Sequence, residues 1–138
     1  MLKKTVTYTD FNDIERTEDH YFHMTEAELI QLETGETGGY TNMIKRISAA
    51  QDTPMLMKLF KELLLMSYGI KSADGRRFEK TDEIRREFEQ TEAFSQIYME
   101  LITDDKAGAE FIEGIVPNKL KDEYKKALKN DPGLKSLK

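Results

Sequence analysis

The first two dozen residues alternate between apolar and polar positions, as half-buried β-strands do. Val6 and Tyr8 alternate with threonines, and residues 11–13 have the chemistry of a turn. A second alternating run follows over residues 16–24. The pattern predicts a β-hairpin over residues 4–24.

The second predicted strand has two different faces. One face carries His20, Phe22 and Met24, and the other carries Tyr21 and His23. Aromatic residues are concentrated in this hairpin, and core packing is the first interpretation of them. The alternative is an exposed strand edge that is open to pairing with a partner. The aromatic residues concerned are Tyr8, Phe11, Tyr21 and Phe22.

Beyond residue 24 the apolar positions follow helical spacing. Thr25 and Glu28 form a capping box that starts a short helix, which we expect to stop before Gly35. A glycine-rich loop then leads to Gly39. A second helix is predicted by the apolar stripe Tyr40, Met43, Ile44, Ile47 and Ala50.

The strongest helix prediction lies in the middle of the chain. We expect Thr53 as its N-cap, Pro54 at its first position and Gly69 as its C-terminal stop. Its stripe identifies it as the main core helix and consists of Leu56, Leu59, Phe60, Leu63 and Leu64.

Turn and cap signals divide the following segment. Asp74-Gly75 predicts the tight turn of a small hairpin between Ile70 and Phe78. Three further helices are predicted before Pro117, with N-caps at Thr81, at Thr91 and at Asp104 or Asp105. The fold class is therefore α+β, mainly α, with an N-terminal β-hairpin packed on about five or six short helices.

The end of the chain differs in composition. From residue 117 onward there are seven lysines and three acidic residues, a net charge of +4, so the rest of the chain carries −9. We expect one domain over residues 1–117 and a Lys-rich helix or tail over residues 118–138. A narrow apolar seam in this tail is our candidate partner-binding surface, and it consists of Leu120, Tyr124 and Leu128.

Composition restricts the available chemistry. The 138 residues are 38% hydrophobic and 34% charged, with no cysteine and a net charge of −5. A thiolate metal site is therefore excluded, and an acidic chain is a poor default binder of nucleic acid. No apolar run is long enough to span a membrane, and no signal peptide is indicated. The first interpretation of the seven methionines is that they fill the core. The alternative is a surface that accepts varied apolar partners.

No group of side chains has the pattern of a catalytic or cofactor site. His20 and His23 are three residues apart on a strand, so they point to opposite faces and do not readily hold one metal ion. The paired acidic residues stand at helix starts, where capping and the helix dipole account for them. We therefore expect a binding protein rather than an enzyme, without a cofactor, a metal, or a nucleic-acid or membrane partner.

Five segments form an ordered combination that carries a family resemblance. They cover residues 3–33, 68–80, 81–88, 90–101 and 107–117, and the last of them reads AGAEFIEGIVP. In this combination the sequence resembles the tail assembly chaperones of long-tailed bacteriophages and related prophages.

The resemblance implies a concrete role. Such a protein is made in the host cytoplasm, binds the tape measure protein, keeps it soluble and helps to recruit tail tube subunits, and it is absent from the finished virion. Tube subunits would be contacted through a longer frameshifted form, of which this chain looks like the short version. Self-association along the tape measure is compatible with that role.

Two other classes remain open at this stage. A small structural head–tail connector or tail subunit would be found in purified tails, whereas a chaperone would be missing from them. A helical nucleic-acid-binding regulator is the second class, and the net charge of −5 disfavours it.

Overall fold

The computed structural model describes residues 1–117. The candidate seam Leu120, Tyr124 and Leu128 lies outside the described residues. The elements are β1 (Leu2–Thr9), β2 (Glu15–Phe22), α1 (Glu26–Thr34), α2 (Tyr40–Ala49), α3 (Thr53–Ser67), β3 (Tyr68–Lys71), β4 (Phe78–Glu79), α4 (Asp82–Glu89), α5 (Glu92–Thr103) and α6 (Asp105–Gly114). The predicted class, mainly helical with an N-terminal hairpin, is confirmed.

The strands form one antiparallel sheet in the order β1-β2-β3-β4. β1 and β2 make the predicted hairpin, in a register that pairs Leu2 with Phe22. β3 and β4 make the second predicted hairpin. The sequence did not predict that the two hairpins join, which they do where Phe22 pairs with Tyr68.

The role that the sequence assigned to Gly69 was wrong. Helix α3 ends at Ser67, and Gly69 lies inside β3 opposite Tyr21. A Cβ at this position would lie 2.7 Å from the ring of Phe78, so the missing side chain allows close packing next to β4.

Two details of the middle helices also differ from the prediction. The N-cap of α3 is Asp52, not Thr53, because the Asp52 carboxylate accepts a hydrogen bond from the backbone N–H of Met55 at 3.3 Å. In α2, Ala50 is exposed beyond the helix end, and Ser48 is buried in its place. For α3, Asp52 and Thr53 are adjacent and either side chain can cap a helix, so the local sequence defines the position of the N-cap only to within one residue.

The core is centred on α3, whose predicted stripe is buried throughout. The inner face of the hairpin packs on the helices, and Phe22 meets the ring of Phe111 edge-on at 5.4 Å. Tyr68 stacks on Phe88 at 3.9 Å between ring centroids. The predicted N-caps at Thr25, Thr81, Thr91 and Asp104 are confirmed by side-chain hydrogen bonds to the first turn of each helix.

Candidate partner-binding groove

A groove of about 400 Å³ opens between α1, α2 and α3. A second depression of about 310 Å³ shares Gln31, Leu32 and Met66 with it and extends it toward Met24 at the start of α1. We call the two together the α1–α3 groove. Its main apolar lining is Leu32, Met43, Ile47, Met55, Leu59 and Met66.

Methionine is the commonest residue type in this lining. Four of the seven methionines of the chain contribute to it, namely Met24, Met43, Met55 and Met66. Met55 is 40% exposed, so the groove presents thioether surface to solvent. Because unbranched, polarizable side chains repack easily, such a surface suits apolar partners of varied shape.

Glu33 joins two walls of the groove. Helix α2 begins after Gly39, which has no side chain to cap it. The Glu33 carboxylate of α1 caps α2 instead. It accepts hydrogen bonds from the backbone N–H and the hydroxyl of Thr41, at 3.0 Å each. Gly39 has a φ of 92°, and a Cβ there would collide with the Glu33 carboxylate. The glycine therefore allows α1 to cap α2.

Lys80 fixes the other end of the groove to the sheet. Its ammonium group donates to the carbonyl oxygen of His23 at 2.6 Å and to the Glu28 carboxylate at 2.9 Å. Burial alone would raise the pKa of Glu28, but the hydrogen bonds from Thr25 and Lys80 outweigh it and lower that pKa. Burial lowers the pKa of Lys80, although Glu28 favours its charged form.

The rim of the groove carries both signs of charge, with two carboxylates beside Tyr40. Burial raises the pKa of the Tyr40 hydroxyl, and Glu62 and Glu36 raise it further. Lys58 also lines this part of the groove. Among residues 1–117 the buried Tyr40 hydroxyl has no hydrogen-bond partner. The groove thus combines an apolar floor with a rim of mixed charge, which suits an amphipathic helix.

Comparison with known proteins identifies the family. The family described as "Phage tail assembly chaperone" matches residues 1–136. The chain belongs to this family of phage tail assembly chaperones. No curated protein and no solved structure matches it.

The groove of this tail assembly chaperone was not identified from the sequence. The number of methionines was a signal, but core filling was the first interpretation of it. The groove forms from three helices that are separate in sequence, so no local motif marks it. The candidate seam Leu120, Tyr124 and Leu128 stays a prediction, because it lies outside the described residues.

The two histidines contact different rings: His20 lies in β2, and His23 follows the last residue of that strand. His20 packs beside the stacked rings of Tyr68 and Phe88, with ring centroids at 6.2 Å and 5.5 Å. His23 meets Phe78 edge-on at 6.5 Å. Within residues 1–117 no group of three or more His, Cys, Asp or Glu is placed to hold a metal ion.

The aromatic residues of the hairpin divide between core and surface. Phe22 is buried, whereas Phe11 at the hairpin tip is 74% exposed, so core packing is wrong for Phe11. The outer edge of β1 is partly covered by α5, because the Gln96 side chain donates to the carbonyl oxygen of Thr7 at 2.9 Å. Lys4 also pairs with Glu100 of α5 at 2.8 Å.

None of the helices in the described part has the length and apolarity to cross a membrane.

Proposed function

We propose that this chaperone binds the tape measure protein, keeps it soluble and helps to recruit tail tube subunits during tail assembly. Family membership supports the general role in tail assembly. The observation that supports a binding mode is the methionine-lined α1–α3 groove, which has the shape and chemistry to receive one apolar helix face.

The physical need for such a protein follows from the partner. A long helical polypeptide that is not yet covered by the tail tube exposes apolar seams, and exposed apolar seams aggregate. A groove with adaptable methionines can cover different segments of such a polypeptide in turn. Binding of this kind needs no catalytic residue, so we propose a binding role rather than an enzymatic one.

The proposal includes the remaining expectations from the sequence. The protein acts in the host cytoplasm and is absent from the finished virion. Leu120, Tyr124 and Leu128 form an additional partner contact. Tube subunits are contacted through a longer frameshifted form, and copies of the chain self-associate along the tape measure.

Co-expression with the tape measure protein tests the proposal, with solubility and co-purification as readouts. A matched pair of variants tests the groove. Met55→Lys places a charge in the groove, whereas Met99→Lys places the same charge on α5 outside it, and the two methionines are 40% and 50% exposed. Losing one buried apolar contact costs about 1.5–3 kcal/mol, so we expect Met55→Lys to weaken co-purification about tenfold or more. Met99→Lys should retain it.

The outcomes separate the alternatives. If the tape measure protein stays insoluble beside the unaltered chain and nothing co-purifies, the tape-measure proposal is wrong. The chain should then be sought in purified tails, where a structural head–tail connector or tail subunit would appear. If both lysine variants bind like the unaltered chain, the groove is not the contact surface.

A further inference from the structure

The hydroxyl of Tyr40 is a buried polar group at the wall of the α1–α3 groove. Tyr40 is the first residue of α2, lines the groove and is only 8% exposed. No backbone or side-chain group of residues 1–117 is placed to form a hydrogen bond with this hydroxyl. A buried hydroxyl without a partner lowers the stability of the folded state, so the free protein carries this group at a cost.

Two other tyrosines show the usual arrangement. The Tyr8 hydroxyl donates to the Glu18 carboxylate at 2.6 Å, and the Tyr98 hydroxyl donates to the carbonyl oxygen of Met57 at 2.8 Å. Both tyrosines are only half-buried, whereas Tyr40 is buried. Phenylalanine would fill the place of Tyr40 without the cost of an unpaired hydroxyl. A ligand group that enters the groove and pairs with the hydroxyl would account for it.

The charges around Tyr40 restrict the chemistry of that ligand group. Burial raises the pKa of Tyr40, and Glu62 and Glu36 raise it further, so the hydroxyl keeps its proton and can donate it in a hydrogen bond. Lys58 lines the same part of the groove, so neither sign of charge is favoured there. A neutral group that accepts from the hydroxyl and donates to a carboxylate suits all of these neighbours. The carboxamide of asparagine or glutamine has both functions on one planar group.

We propose that the α1–α3 groove recognises a helix with an asparagine or glutamine in its apolar face, and that Tyr40 donates a hydrogen bond to the carboxamide oxygen. This inference rests on the proposed function, in which the helix belongs to the tape measure protein. The methionines then provide contact with any apolar helix face, whereas the hydroxyl fixes the register in which the helix lies. A single buried amide sets the register of paired helices in coiled coils in the same way.

The stability of two matched variants of the full chain tests the first part of this inference. Tyr40→Phe removes a hydroxyl without a partner, so its urea midpoint should equal or exceed that of the unaltered chain. Tyr98→Phe makes the same chemical change outside the groove and loses a hydrogen bond, so its midpoint should fall. A lowered midpoint for Tyr40→Phe would show that its hydroxyl is already satisfied in the free protein, and would overturn the inference.

Binding of overlapping peptides from the tape measure protein tests the second part. We expect Tyr40→Phe to bind these peptides about fivefold more weakly than the unaltered chain, because it leaves the carboxamide without its donor. Tyr98→Phe should bind them normally. In a bound peptide, replacing the asparagine or glutamine by leucine should weaken binding to the unaltered chain but not to Tyr40→Phe. This double-mutant cycle assigns the loss to one contact.

The outcomes separate this inference from the proposed function. If the unaltered chain binds no peptide, the proposed function fails and the role of Tyr40 fails with it. If the unaltered chain binds peptides and Tyr40→Phe binds them equally well, the role of Tyr40 is overturned while the proposed function stands. Peptides that lose affinity for Tyr40→Phe but contain no asparagine or glutamine would overturn the carboxamide as the recognised group.

Discussion

At the scale of single residues, His20 shows burial outweighing the effect of nearby carboxylates on a pKa. Its side chain is 8% exposed and faces the rings of Tyr68 and Phe88. Burial lowers the pKa of His20, and this outweighs Glu18 and Asp19, which raise it. The folded protein therefore binds a proton at His20 less readily than the unfolded chain does.

Stability should consequently fall as the pH drops below the ordinary histidine pKa of about 6.5. The unfolded chain takes up a proton there that the folded chain resists, at up to about 1.4 kcal/mol per pH unit for one group. Urea unfolding from pH 7.5 to pH 5.5 measures this slope. The neutral variant His20→Gln should show a flatter dependence, and equal slopes for the two proteins would contradict the prediction.

At the scale of elements, the connection from α1 to α2 depends on two glycines with positive φ. Gly38 has a φ of 82° with no atom within 4 Å of an added Cβ, whereas the added Cβ of Gly39 meets Glu33. Glu33 can move aside, but it would then release the backbone N–H of Thr41 and leave α2 uncapped.

This difference predicts unequal costs for two matched substitutions. Gly38→Ala should cost about 1 kcal/mol from its backbone conformation alone. Gly39→Ala should cost at least about 1 kcal/mol more, because its φ of 92° and ψ of 142° lie in a region that is essentially restricted to glycine, and because the added Cβ displaces the Glu33 cap. Chemical denaturation of both variants measures the free energy of unfolding. Equal losses would contradict the predicted difference between the two positions.

At the scale of the whole molecule, Lys80 ties the sheet to the helical part. Its side chain is 9% exposed and contacts the end of β2 and the start of α1 together. Because Glu28 also closes the capping box of α1, one ion pair supports the helix start and the near end of the groove.

Lys80→Met keeps the aliphatic stem but removes this link. We expect a loss of about 2 kcal/mol, less than for a fully buried pair because Glu28 keeps access to water. Lys106→Met breaks the exposed pair with Glu110 and is the control, with an expected loss under about 0.5 kcal/mol. Thermal or urea unfolding checks both, and similar losses would refute the structural role of Lys80.

The sequence determined the parts of this protein that depend on neighbouring residues. The caps at Thr25, Thr81 and Thr91 and the turn at Asp74-Gly75 use interactions within three or four residues, so the local pattern carries them. The buried stripe of α3 follows from helical periodicity in the same way. Family membership was also readable from the sequence, because ordered segments carry it along the chain.

Only the tertiary structure decided how these parts meet. The pairing of Phe22 with Tyr68 joins strands that lie far apart in sequence, and the place of Gly69 inside that sheet follows from it. The candidate groove arises because Glu33 and Lys80 hold α1 against its neighbours, which brings methionines from separate helices to one surface. Contacts of this kind depend on long-range packing, and local periodicity contains no information about which faces will adjoin.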